Sequence, residues 1–244
     1  MEKKTVLITG ASRGIGKACA RIFAANGWRL VLNCHKNKKR LEELKKELET
    51  EFAVSCMISA GNAGDPAYVE HLFKELENFS STLDVLINNA GVAYMGLLQD
   101  MTPEEWDKVL ASNLTSQFLC CRKAIPLMLK KHSGSIINVS SVWGSHGAAC
   151  EAAYSASKGG VNAFSKALAR ELAPSGIRVN AIGFGAIDTD MNSMLDAREK
   201  ESLCEEIALG RMGTPKEAAQ FVYDIAVNHP YLTAQVLTFD GGWM

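Results

Sequence analysis

Tyr154 and Lys158 stand four apart in Tyr154-Ser155-Ala156-Ser157-Lys158, a stretch of helical character. Residues at that spacing share a helix face, so a phenol and an ammonium project into the same space. A free tyrosine titrates near ~10, and a neighbouring cation favours the phenolate. The pair therefore predicts a lowered Tyr154 pKa and a side chain suited to proton transfer near neutral pH. On an exposed helix face the same two residues would be decoration, so their surroundings decide. Asn138-Val139-Ser140-Ser141 closes a strand-like run just upstream. Open α/β sheets bind ligands beyond the carboxyl ends of their strands, which would deliver Ser141 to the same rim. Its hydroxyl would donate to a carbonyl oxygen as negative charge develops there, or it would simply satisfy a strand-end backbone group.

Asn88-Asn89-Ala90-Gly91 ends another strand-like run. Its asparagines would tie strand ends together, and Gly91 would allow a cofactor to approach the backbone. Asn113, in Ala111-Ser112-Asn113-Leu114, falls between two helical stretches and reads equally well as a cap or as part of the site.

A phosphate-binding turn precedes all of these. Thr9-Gly10-Ala11-Ser12-Arg13-Gly14-Ile15-Gly16 follows the first strand directly, with spacing G-x-x-x-G-x-G. Such glycines permit a tight turn, close approach to a pyrophosphate and close helix–strand packing, and the helix start offers free N–H groups and a positive dipole. NAD readers place an acid at the end of the second strand for the ribose 2′-OH. Here that end reads Asn33-Cys34-His35-Lys36. His35, Lys36 and Arg13 would attract a 2′-phosphate that a carboxylate would repel, which points to NADP(H); a solvated basic loop leading into Lys38-Lys39-Arg40 is the other reading.

The elements that must position these groups alternate along the chain. Strands are expected at residues 5–9, 29–33, 53–58, 83–88, 135–140, 177–183 and 235–239, being short, apolar and β-branched. Helices are expected at 17–26 (closed by Gly27), 38–52, from an Asp65 cap to 78, from about 114 to 131, and at 151–172. Thr102-Pro103-Glu104-Glu105 and Thr214-Pro215-Lys216-Glu217 each open a further helix with a cap and a Pro at the first position. Strand–helix alternation predicts a doubly wound α/β fold with a seven-stranded parallel sheet and helices on both faces. No linker or repeat divides it, so residues 1–244 read as one Rossmann-like domain.

Composition agrees. Apolar residues make up 47% of the 244 and charged residues 22%, enough for a sizeable core. A formal net charge of −1 gives no electrostatic case for nucleic acid or an anionic membrane. No apolar run reaches the roughly 18 residues of a membrane span, and Met1-Glu2-Lys3-Lys4 leaves no room for a signal peptide before the first strand. Seven cysteines, without a C-x-x-C pair, argue against a disulfide framework and for a reducing cytoplasm. Five scattered histidines suggest no metal site.

Together these motifs make the chain resemble the short-chain dehydrogenase/reductase family over essentially its whole length. T-G-x-x-x-G-I-G, N-N-A-G, the asparagine, S-S, Y-x-S-x-K, I-D-T and a closing D-G-G occur in the family's order. Within the family the chain looks most like 3-oxoacyl-[acyl-carrier-protein] reductases, which act in fatty acid biosynthesis. The resemblance implies NADPH-dependent reduction of a carbonyl, with Tyr154 as general acid and Ser141 orienting the carbonyl. Lys158 would hold the nicotinamide ribose and lower the Tyr154 pKa. Asn113 would hold a water linking Lys158 to solvent. Gly10, Ser12, Arg13, Gly14, Ile15 and Gly16, with His35, Lys36, Asn62, Asn89, Ala90 and Gly91, would bind the cofactor, and Ile187 and Thr189 its nicotinamide end.

Three departures stand out. Phe184-Gly185 replaces the family's Pro-Gly and frees the backbone there. Asn62 stands where many members carry an adenine-binding Asp. Of the cations that would greet an acidic carrier at the cleft mouth, Lys130, Lys131 and His132 are present, but Ser175 and Gly176 occupy another such position. An alcohol, polyol or hydroxysteroid dehydrogenase on the same scaffold therefore stays open, and a non-catalytic NADP(H) sensor remains a distant third. Trp143, His146 and Tyr94 would line the substrate side, and residues 188–206 would form a mobile lid. The helices near 114–131 and 151–172 would pair between subunits of a homodimer or homotetramer.

Overall fold

The computed structural model describes residues 3–192 and 195–244. In chain order the elements are β1 (Thr5–Ile8), α1 (Gly14–Ala25), β2 (Arg29–Cys34), α2 (Lys38–Phe52), β3 (Cys56–Ala60), α3 (Pro66–Phe79), β4 (Val85–Asn88), α4 (Pro103–Leu110) and α5 (Ser116–Leu129). β5 (Gly134–Ser141), α6 (Trp143–His146), α7 (Ala152–Leu172), β6 (Ile177–Phe184), α8 (Ala197–Glu206), α9 (Pro215–Val227) and β7 (Val236–Phe239) follow.

All seven strands pair in parallel, in the order β3-β2-β1-β4-β5-β6-β7. Successive strand residues point to opposite faces, and both faces are buried. Val6 and Ile8 of β1 pack with Phe23 of α1 and Val222 of α9 on one side, while Leu7 packs with Leu72 of α3 and Leu119 of α5 on the other. This is why the strands read as unbroken apolar runs. After β3 the chain returns to place β4 beside β1, so the crevice at the carboxyl ends of β1 and β4 is the topological switch point.

The helix starts follow their caps. Asp65 accepts from the Ala67 amide, and Thr102 and Thr214 form capping boxes with Glu105 and Glu217. The third strand differs from expectation. Ala53 adopts a left-handed φ of 52° as the cap of α2, and β3 begins only at Cys56; the first residues of the expected strand serve the turn. Among the described residues no helix is long and apolar enough to cross a membrane.

Candidate functional site

A cleft of about 820 Å³ opens at the carboxyl ends of the strands and runs from Asn62 and Lys36 past the glycine turn to Tyr154 and Trp143. That volume lies in the upper part of the roughly 300–1,000 Å³ range of ligand pockets.

The turn after β1 is shaped by contacts across the switch point. Thr9 Oγ1 accepts from the amides of Asn89 and Ala90, both at 3.0 Å. Asn89 Nδ2 in turn donates to the carbonyls of Thr9 at 2.9 Å and Gly10 at 3.1 Å. A Cβ on Gly10, whose φ is +66°, would meet Ala90 Cα at 2.9 Å. A Cβ on Gly16 would overlap the Gly10 carbonyl oxygen, so this glycine sets helix–strand packing behind the wall. Deeper still, Asn88 Nδ2 donates to Asn138 Oδ1 at 2.8 Å, and Asn138 Nδ2 to Ser165 Oγ at 2.8 Å. The asparagines do tie the strand ends together.

Beyond the turn stand the three groups in which sequence analysis saw proton chemistry. Ser141 is the last residue of β5 and lines the cleft. Its Oγ accepts from the Trp143 amide at 3.2 Å and shares a hydrogen bond with the Tyr154 phenol. The backbone-satisfying role and the site-facing role thus coexist. Lys158 is 3% exposed. Its ammonium donates to the Val139 carbonyl at 2.9 Å and lies 5.6 Å from the centre of the Tyr154 ring.

The expected lowering of the Tyr154 pKa is not what this environment gives. Burial, the largest cause, pushes the phenol up to about 12, with Glu151 adding to the rise and Ser141 opposing it. Burial also brings Lys158 down to about 8. Desolvation disfavours both charged forms, and the ammonium is held by a carbonyl rather than by the phenolic oxygen.

Asn113 is neither a cap nor a lining residue. A π turn, Ala111–Thr115, joins α4 to α5 without breaking the helical path. π-bulges insert one extra residue and often occur at functional sites. Within this turn the fully buried Asn113 amide donates to Val92 O at 2.9 Å and Ser157 Oγ at 3.0 Å, and its oxygen accepts from Val92 N at 2.8 Å. The side chain pins the segment after Gly91 to α7. A Cβ on Gly91 would meet Asn113 Oδ1 at 3.0 Å, which explains the glycine.

At the opposite end, Ser12, Arg13, Gly14, Ile15, His35, Lys36 and Asn62 all line the cleft. Arg40 joins them, one turn into α2, a position that reads in sequence only as part of a basic run. Arg13 and Arg40 both reach Asp190 Oδ2, at 3.3 and 3.2 Å, and the two guanidiniums hold the Asp190 carboxyl below its ordinary value. Asn62 Oδ1 accepts from Gly64 N at 3.0 Å.

Ile187 and Thr189 line the cleft as expected. The segment that lost the family's proline is tied down by other means. Phe184 packs edge-on against Phe239, Gly185 N donates to Phe239 O at 3.0 Å, and Ile187 bridges to Gly213. Of the lid expected at residues 188–206, Ser193 and Met194 lie outside the described residues; Asp190, Met191, Asn192, Leu195 and Leu203 border the cleft.

Two substrate-side expectations are corrected. Trp143 lines the cleft, but Tyr94 folds over Gly96 toward a hydrogen bond with Glu105, and His146 is exposed at the end of α6. The expected cationic mouth is also misplaced. Lys131 pairs with Asp84 at 2.5 Å and Lys130 donates to Ser81 O at 3.5 Å. Both partners precede β4, so these cations and the adjoining His132 lie at the amino ends of the strands, a helix length from this chain's own cleft. Sequence reasoning also missed Glu151 and Trp243, which border the cleft.

Residues 4–200 match the family model described as short chain dehydrogenase. The chain belongs to the short-chain dehydrogenase/reductase family. It is 40% identical over 240 residues to the 3-oxoacyl-[acyl-carrier-protein] reductase FabG of Staphylococcus aureus (strain N315), covering 98% of this chain and 97% of that protein. It is 37% identical over 241 residues to the uncharacterized oxidoreductase YmfI of Bacillus subtilis (strain 168), covering 98% of both. Among solved structures, YwfH, an NADPH-dependent reductase involved in bacilysin biosynthesis, superposes with a TM-score of 0.94 at 26% identity, covering 100% of this chain and 99% of that one. The protein is thus an oxidoreductase with the nicotinamide-binding fold of its family. The cleft fits such a group, with about 820 Å³ of space bordered by the backbone of Gly10, Gly14 and Gly91 at the strand ends.

Proposed function

We propose that this protein reduces a ketone to an alcohol with NADPH, and that its substrate is a 3-oxoacyl thioester. The observation that carries the reading is the meeting of Ser141, Tyr154 and Lys158 on one cleft wall beside the glycine turn. When bound, the dinucleotide supplies the hydride. The chain supplies position and a proton.

Tyr154 is the general acid. With its pKa raised to about 12, the phenol keeps its proton at neutral pH and can give it to the carbonyl oxygen as charge builds there. Ser141, which accepts from the Trp143 amide and stands beside the Tyr154 phenol, turns its hydroxyl to donate to that same oxygen when the substrate is bound. Lys158, still mainly protonated at pH 7 with a pKa of about 8, binds the nicotinamide ribose and stabilises the phenolate left behind. Asn113 acts through position: it holds Val92 and Ser157, and with them the wall on either side of Lys158. Because both of its amide hydrogens are engaged, the side chain has no donor left for a water at this point.

The preference for NADPH rests on Arg13, Arg40, His35 and Lys36 around the far end of the cleft, with no acid at the end of β2. The thioester assignment rests on the 40% identity to a 3-oxoacyl-[acyl-carrier-protein] reductase. A second reading, an alcohol, polyol or hydroxysteroid dehydrogenase, is favoured by the place of Lys130 and Lys131 beside Ser81 and Asp84, away from this chain's own cleft. NADPH oxidation assayed with acetoacetyl thioester, a steroid ketone and a small ketose separates the two. The thioester should be turned over fastest; a ketose or steroid preferred over it by tenfold would replace the first reading with the second.

Free, buried thiols at Cys19, Cys34, Cys56, Cys120 and Cys121 fit a reducing cytoplasm. Exposed Phe118 on α5 supports pairing of α5 and α7 with a second copy, as a homodimer or homotetramer. Light scattering at micromolar concentration tests that, and a monomer would contradict it.

A further inference from the structure

Glu151 lies at the start of α7 and borders the cleft together with Tyr154 and Trp143. A residue in this position ordinarily caps its helix, but the Glu151 side chain makes no such bond. Among the described residues no ion pair or side-chain hydrogen bond reaches it. It is half-buried, and burial holds its carboxyl above the ordinary value. Its charge is felt at Tyr154, so the carboxylate stands within electrostatic range of the position where a carbonyl would be protonated.

The backbone preceding Glu151 is fixed in an unusual way. Cys150 adopts a left-handed φ of 62°, a conformation that is costly for a non-glycine residue and persists only when its surroundings hold it. The Cys150 carbonyl is held by the Gly96 amide at 2.8 Å. The turn that aims Glu151 is therefore anchored to the loop after β4 on the opposite wall. The cleft lining carries several apolar side chains beside the Lys158 ammonium. Val92, Met95, Trp143, Leu195, Leu203 and Trp243 border the cleft, and Trp143 meets Trp243 edge-to-face at 4.8 Å. Trp243 Nε1 donates to Glu206 at 3.1 Å, so that indole is engaged away from Glu151.

An unpartnered carboxylate in a partly apolar, half-dry wall acts strongly on charges brought near it, because there is little water between them to screen the field. Resting on the ketone-reductase reading above, we propose that Glu151 is a charge filter for the substrate. It admits ketones that are neutral near the carbonyl, favours those carrying an ammonium or hydroxyl donor, and excludes keto acids with a free carboxylate. A 3-oxoacyl group passes because its carboxyl is masked as a thioester. The free 3-oxo acid does not.

The test is a three-ketone series with NADPH: acetoacetate (anionic), ethyl acetoacetate (neutral) and 4-(dimethylamino)-2-butanone (cationic). In the wild type, kcat/KM for ethyl acetoacetate should exceed that for acetoacetate by at least about tenfold, the scale of one partly screened charge pair. Glu151→Gln should narrow that ratio about tenfold and weaken the cationic ketone relative to the neutral one. Glu151→Asp, which retains the charge, should preserve the wild-type order. A merely structural role would change all three substrates together and leave the ratios alone. The filter is overturned if both ratios in Glu151→Gln stay within twofold of wild type. It is also overturned, without any variant, if the wild type prefers acetoacetate. Inactivity of the wild type toward all three would instead sink the reductase reading on which the filter rests.

Discussion

The two ends of the cleft hold their charges in opposite ways. Near Tyr154 the groups are buried and anchored to backbone: Lys158 to the Val139 carbonyl, Ser141 to the Trp143 amide, Asn113 to both sides of Val92. Near Arg13 the charges stand in water and hold one another, with the Arg13, Arg40 and Asp190 side chains each about half exposed. At the first end desolvation moves pKa values and one misplaced atom is costly. At the second, each contact contributes little to stability, and on the proposed reading the cations serve to attract an anion. On the proposed reading, chemistry and cofactor selection fall to regions that tolerate change very differently.

The sharpest way to break this contrast is Tyr154→Phe. Loss of a positioned general acid should lower kcat by about 10²–10⁴-fold, while the Kd for NADPH, followed by fluorescence titration, changes little. A normal kcat would remove Tyr154 from the mechanism. Lys158→Met comes next and sharpens the comparison, because activity and stability should move in opposite directions. Turnover should fall by a similar factor. The variant should nevertheless melt several degrees higher at pH 7, since an ammonium that burial depresses from 10.5 to about 8 costs roughly 3 kcal/mol. The Val139 carbonyl keeps a partner in Gln117 Nε2 at 3.2 Å.

The pH dependence has a definite sign. Below pH 8 Lys158 is charged in both the folded and unfolded chains, and folding bears its desolvation. Between about 8 and 10.5 the folded chain binds fewer protons than the unfolded one, so this residue's contribution to stability rises with pH. Buried Cys19 and Cys120, raised from 9.0 to about 12, act oppositely above pH 9. The wild type should therefore gain on Lys158→Met between pH 8 and 9 in thermal melts. Over the same interval kcat/KM for ketone reduction should begin to fall as the free enzyme's lysine loses its charge. The smallest effects belong to the exposed end. Arg13→Ala or Arg40→Ala should each weaken NADPH binding about tenfold or less, leave NADH binding nearly unchanged, and lose most of that difference in high salt. Equal weakening of both cofactors would mean that these arginines do not read the 2′-phosphate.

Much of the fold was legible because local chemistry and global placement agree. β1 alternates Val6, Leu7 and Ile8 between two cores and so appears as a buried parallel strand; Thr102 and Thr214 announce their helices by capping. Ser141, Tyr154 and Lys158 were legible from residue type and from the rule that strand ends carry sites. Other features gave no local signal. A π turn differs from an α turn by one residue's register, so Asn113 resembled a cap. Lys130 and Lys131 looked available until the direction of α5 carried them to the far end of β4. Arg40 was hidden in a basic run, and Glu151 in an ordinary helix start.

What residue order determined is the succession of strands and helices, the glycines where backbones cross, and which side chains could exchange a proton. Those follow from short-range sterics and hydrophobic periodicity. Only the tertiary structure decided which charges lose their water. That is why the phenol's pKa moved up rather than down: desolvation depends on everything packed around Tyr154, and a spacing of four residues carries no information about it.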